Sequence, residues 1–128
     1  SIIRDESNFE MGTYQMKLTP KALKDPIFNG VSDLFYAVSV HKEKTTLLPP
    51  NSELLAYTDS CVHSFRVKNC PFYAFQFHPE LDKKTLKIRL NAYKEKYTQN
   101  SNHLSEVINN LKETPYANML VKNFMNSI

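Results

Sequence analysis

Glycine is almost absent: the 128 residues hold two, Gly12 and Gly30, beside seven prolines. Glycine takes positive φ at no steric cost, so a chain this poor in it makes few left-handed turns and no glycine-cradled phosphate loop. Its boundaries must come instead from prolines and from the ends of periodic apolar runs. The sharpest such boundary is "FYAFQFHPEL", residues 72–81. On a strand, Phe72, Ala74, Gln76 and His78 share one side and Tyr73, Phe75 and Phe77 the other. The second face is wholly aromatic and must be buried.

Other segments divide the chain into a strand-rich part, 1–80, and a helical part, 81–128, within one domain. Residues 13–19 alternate through Tyr14, Met16 and Leu18, and Thr19-Pro20 reads as an N-cap with proline at the first helical position. Residues 25–31 have the composition of a loop. Strands are expected at 33–41, within 47–59 after a proline-rich turn, and at 61–67 and 72–78 as a hairpin around "KNCP". A two-residue turn at Lys68-Asn69 sets Val67 opposite Cys70 and Cys61 opposite Gln76, so no disulfide is expected across it. After Asp82, a helix N-cap, Leu86, Leu90, Tyr93 and Tyr97 recur at helical spacing. Leu104, Val107, Ile108 and Leu111 form a second apolar face. Thr114-Pro115 opens a third helix with Leu120, Val121, Phe124 and Ile128 inward.

Sixteen Lys and Arg against thirteen acids leave a net charge of +3, too balanced to call for nucleic acid. No apolar run reaches the ~18 residues of a membrane span and no signal-peptide pattern is present, so no membrane partner is expected. Free thiols at Cys61 and Cys70 fit a reducing cytoplasm. The lysines of 83–96 read as a solvated helix face. Cys61, His63, Cys70 and His78 are zinc-ligand types, but their spacing matches no finger pattern and strand alternation scatters them. No metal is expected.

His78-Pro79-Glu80 carries the chemistry. Pro79 disfavours helical backbone at His78, and an extended geometry turns Glu80 to the same side. A carboxylate there accepts a hydrogen bond from one imidazole nitrogen, leaving the other to take a proton from a nucleophile. By itself the tripeptide also fits a plain turn at a strand end.

The longer context resembles the class I glutamine amidotransferases. "YAFQFHPE" is similar to the family's strand ending in Gln-Phe-His-Pro-Glu. "FEMGTYQMKLT" resembles its Glu-hydrophobic-Gly segment leading into a strand. "DPIFNGVSDLFYAVSVHKEKTTLLPPNSELLAYTDSCVHSFRV" follows its "DPLF… H-x-D… LP-x-G… AFR" run, and "ANMLVKNFMNSI" resembles its terminal helix. The nearest likeness is to the stand-alone, GMP-synthase-like branch. The resemblance implies an α/β fold: the C-terminal half of a three-layer domain, with a mixed sheet, an antiparallel hairpin and C-terminal helices. It implies hydrolysis of the glutamine side-chain amide through a cysteinyl thioester, with His78 the base and Glu80 its orienting acid, and with no metal or organic cofactor.

One departure limits this. The family nucleophile sits on a Gly-x-Cys-x-Gly elbow ahead of this region, where backbone amides stabilise the oxyanion. Neither Cys61 nor Cys70 has a glycine neighbour, and both precede His78 within the hairpin. The chain is therefore expected to be a fragment that is inactive without a Cys-bearing N-terminal half. The alternative is a non-catalytic relic that binds a partner. His41 stands where the family often has His-Gly-Asp near the glutamine site. Lys42 and Glu43 replace the last two, so His41 is either a substrate-binding residue or an ordinary strand-end polar group.

Half of a sheet has an open edge, which invites pairing with the missing half or with a second copy. At ~25 cal/mol per Å², even ~400 Å² of aromatic face left wet forfeits ~10 kcal/mol. The isolated chain should sediment at micromolar concentration as a dimer or larger. A single monomer with cooperative unfolding would show that these residues close a core of their own.

Overall fold

Alternation and proline punctuation produce the expected kinds of element. The computed structural model describes residues 2–4, 10–41, 43–45, 47–96 and 101–127, with side chains at 11–40, 47–93 and 104–127. The strands are β1 (Ile2–Arg4), β2 (Glu10–Leu18), β3 (Leu34–His41), β4 (Glu43–Thr45), β5 (Ser52–Tyr57), β6 (Val62–Val67) and β7 (Tyr73–Phe75). The helices are α1 (Pro20–Leu23), α2 (Lys83–Lys96), α3 (Ser101–Asn109) and α4 (Pro115–Ser127), with a 3-10 turn at Pro26–Phe28. Tyr97 and Ile128 lie outside the described residues. No helix among those described is long and apolar enough to cross a membrane.

Two of the three expected caps form, while the Thr114 hydroxyl turns instead to the Leu81 carbonyl and Asn118 Oδ1. Thr19 accepts from the Ala22 amide and Pro20 opens α1. Asp82 accepts from the Thr85 amide at 2.7 Å, which holds its carboxyl below the ordinary carboxylate range. Residues 25–31 do more than loop. Ile27 and Phe28 are fully buried, because the Asp25 side chain caps the 3-10 turn and directs both inward.

The sheet runs β1-β4-β6-β5-β2-β3, with β7 also beside β6. Strands and flanking helices give the α/β class expected. The sheet is not mixed, however: every pairing among the described residues is antiparallel. Parallel neighbours need a helix-length crossover, and the helices long enough for one all follow β7. Beyond β7 the chain passes from β6 to β3: the Gln76 amide donates to His63 and the His78 amide to Val38, each at 2.7 Å. The hydrogen-bonded path β3-β2-β5-β6-β7 thus curls back on its own start.

Helices cover both faces of β3. On one, Phe35 and Ala37 join Met16, Leu55, Phe77, the 3-10 turn and α4 residues Ala117 and Leu120. On the other, Val38 packs with Leu81, Leu86, Leu90, Leu104 and Leu111. The aromatic face closes within the chain: Phe77 is buried edge-on to Phe35 and Phe75, and Tyr73 meets Phe124 of α4. Two helix faces differ from expectation. Val121 is 43% exposed and Tyr93 46%, since the core admits a narrower stripe centred on Leu120 and on Leu86 and Leu90.

The β6–β7 register also differs. Arg66 faces Tyr73 and Ser64 faces Phe75, so Val67 meets Phe72 rather than Cys70. A two-residue type I′ turn needs positive φ at both centres, and of Lys68 and Asn69 only Asn69 has it, at +60°. The shift is of two residues, so every side chain keeps its face. Cys61 and Cys70 are both free thiols. Positive φ falls on Gly12, Gly30, Asn51 and Asn69 among the described residues; asparagine does at two turns what glycine usually does. Gly12 is also a close approach, for a Cβ there would stand 3.3 Å from Val107 Cγ1.

The 3-10 turn and the hairpin are tied by charge. Asp25, buried, accepts from Arg66 Nη1 at 3.1 Å and from the Tyr73 hydroxyl at 2.8 Å, and Arg66 lies over the Tyr73 ring. Arg66 Nε reaches the Cys70 carbonyl, fixing the turn. Burial first, then the hydrogen bond and charge of Asp25, push the Tyr73 phenol up to about 12.

Asp25→Ala strands a guanidinium and a phenol, and should cost about 2–4 kcal/mol, read as a lower urea midpoint at unchanged m. Stability from the raised Tyr73 phenol is whole below its ordinary value of 10 and is lost as pH rises toward about 12. Tyr73→Phe should be less stable at neutral pH yet lose less between those limits, as denaturant melts on either side of pH 10 would show.

Candidate active site

Two backbone hydrogen bonds aim the functional segment. Gln76 is the last residue attached to β6, and two residues later His78 is attached to β3 through Val38. Phe77 between them is anchored in the core, so the backbone on either side has little freedom.

At His78 the strand ends in a turn. Pro79 fixes φ at the second position, where proline is favoured, and the Leu81 amide closes the turn on the His78 carbonyl at 3.3 Å. Leu81 is drawn into the α2–α3 cluster, and that burial reverses the chain. Glu80 therefore reaches His78 by a turn and not by the extended geometry expected of it. The contact itself is made: His78 Nδ1 lies 2.8 Å from Glu80 Oε1. A carboxylate only accepts, so Nδ1 carries the proton and Nε2 keeps its lone pair in the neutral ring. Among the described residues Nε2 has no hydrogen-bond partner, and the His78 side chain is 40% exposed, Glu80 56%. The pair is accessible and can accept a proton.

Of the other predicted residues, His41 ends β3 opposite Glu10, and its side chain lies outside those described. Cys61 and His63 meet each other instead of His78, with Sγ 3.0 Å from Nε2 in a buried contact. Their Cys-x-His spacing on one strand face is the available signal. No group of three or more His, Cys, Asp or Glu at metal-binding distance occurs among the described residues. Asn118 and Thr114, which no sequence motif marks as functional groups, reach the His78 turn from α4: Asn118 Nδ2 donates to the Pro79 and Leu81 carbonyls.

Comparison with known proteins agrees with the fold. Residues 2–111 match the family described as glutamine amidotransferase class-I. The chain belongs to that family. Its curated relatives include the glutamine-hydrolyzing GMP synthase subunits of Ignicoccus hospitalis, 36% identical over 59 residues, and of Methanococcus maripaludis, 37% identical over 59 residues. Each alignment covers 45% of this chain and 31% of the relative. In sequence the chain is thus GMP-synthase-like. A solved glutamine amidotransferase from Thermotoga maritima shares the fold with a TM-score of 0.73 at 18% identity, over 99% of this chain and 54% of that one. The chain spans about half the length of that family member.

Proposed function

We propose that this chain supplies the histidine and glutamate of a Cys-His-Glu glutaminase, with residues 1–128 forming the C-terminal half of a class I amidotransferase domain. The observation that carries the reading is the 2.8 Å His78–Glu80 contact with an open Nε2. In this mechanism Nε2 takes the proton of a cysteine thiol held by a Gly-x-Cys-x-Gly elbow on a segment other than these residues. The thiolate adds to the side-chain carbonyl carbon of glutamine. The C–N bond then breaks as imidazolium returns its proton to the leaving nitrogen, releasing ammonia. Water hydrolyses the thioester to glutamate by the same base. Glu80 holds the Nδ1 proton and offsets the imidazolium charge throughout, and general-base help of this kind is worth roughly a hundredfold to ten-thousandfold in rate.

Family membership and likeness to GMP synthase subunits support the rest of the proposal. Ammonia passes to a synthetase on a separate polypeptide, and no metal or organic cofactor takes part in its release. The two free thiols support a cytoplasmic setting. His41 stays a candidate for glutamine binding through its place at the end of β3. A second reading, a non-catalytic relic that binds a partner, is favoured by the Cys61 thiol being engaged by buried His63, away from any elbow.

The pure chain should release no ammonia from glutamine. Adding the elbow-bearing segment of a glutamine-hydrolyzing GMP synthase should restore release, and His78→Ala should lower it at least ~100-fold. Binding of that segment without activity would favour the relic. Glutamine-dependent release by the chain alone, abolished in Cys61→Ser or Cys70→Ser, would overturn both readings.

A further inference from the structure

We infer that Asn118 is a positioning residue for the His78–Glu80 pair. The inference rests on the reading of His78 as a base, and begins from a mismatch of strength. A contact between side chains as exposed as these is too weak to hold one geometry against rotamer entropy. Whatever fixes Glu80 must act on its backbone.

The contacts of Asn118 do so. Its Nδ2 donates one hydrogen to the Pro79 carbonyl at 2.9 Å and the other to the Leu81 carbonyl at 2.8 Å. These carbonyls belong to the residues before and after Glu80, so the amide holds the backbone at the Pro79–Glu80 peptide and again at the Leu81–Asp82 peptide, with Glu80 between them. The amide cannot flip without setting Oδ1 against two carbonyl oxygens. Thr114, buried, reinforces this by presenting Oγ1 3.1 Å from Asn118 Oδ1 and 3.4 Å from the Leu81 carbonyl. Ala117 and Leu120, flanking this site on α4, are buried in the sheet core. Through Asn118 the turn moves as one body with that core, and the Glu80 carboxylate is directed at Nδ1.

The family-model match ends at residue 111, ahead of α4. The helix also carries its own control. Asn123 Nδ2 grips two other carbonyls, those of Ile27 and Asn29, in the 3-10 turn region. Asn118 and Asn123 hold turns in the same manner, but only one of the turns carries the dyad.

The test is the tautomer of neutral His78, read from ring 15N–1H spectra of the full chain, assigned with His78→Gln. In the unsubstituted chain the Nδ1–H form should be the majority species. Asn118→Leu removes both donors at similar volume and should make it the minority species, as should Glu80→Ala. Asn123→Leu should leave the spectrum unchanged. Thr114→Val, which removes the hydroxyl beside Asn118 Oδ1, should shift it in the same direction as Asn118→Leu by a smaller amount. Should Asn118→Leu fail to fold by far-UV circular dichroism, Asn118→Ser is read in its place. An unchanged His78 spectrum in the folded Asn118 variant, or an equal change in Asn123→Leu, overturns the inference. An unchanged spectrum in Glu80→Ala overturns the dyad itself, a separate failure.

Discussion

The bridge between Val38 and His78 is where sheet and site depend on each other. Without it, residues 76–78 are a tail leaving β6, and the curled path of strands stays open. With it, the same 2.7 Å hydrogen bond that closes the path fixes His78 in space. The bridge is strong because Phe77 beside it is locked between Phe35 and Phe75, so closing it costs little further backbone entropy. The His78–Glu80 pair is thus placed by packing, and hydrogen bonds complete what packing begins.

Packing at the hairpin depends in turn on Asp25. A buried carboxylate is costly unless paired, and here it is satisfied by a guanidinium, a phenol and the Ile27 amide together. The arrangement ties three distant parts of the sequence: the 3-10 turn, β6 and β7. It also explains why Tyr73 and Arg66 face each other across the ladder, a register in which cation and ring stack while both reach the same acid.

Much of this is legible in the residues. The alternation of Tyr73, Phe75 and Phe77 against Phe72 and Gln76 marks the inner face, and Thr19-Pro20 and Asp82 mark helix starts, because caps and alternation are local. The contact of His78 with Glu80 is legible from spacing, but its route is not: the turn depends on where Leu81 is buried. The hairpin register escapes a reading by spacing because it hangs on the φ of one lysine. Val121 is misplaced by periodicity because helical spacing gives a period but not the width of the buried stripe. Asn118 is invisible as a clamp, since nothing near it in sequence shows that it meets residues 79 and 81.

Both asparagine clamps of α4 bind turns made much earlier in the chain, one 39 residues back and the other 96. A chain made from its N-terminus forms β6, β7 and the His-Pro-Glu turn before the helix that steadies them exists. Contacts of such long reach are also the slowest to close. Glu80 therefore settles late, together with the α4 part of the core. A chain caught on the ribosome before α4 has emerged holds every atom of the His78–Glu80 pair and lacks the Asn118 contacts, so the order of synthesis leaves the steadying of that turn until last.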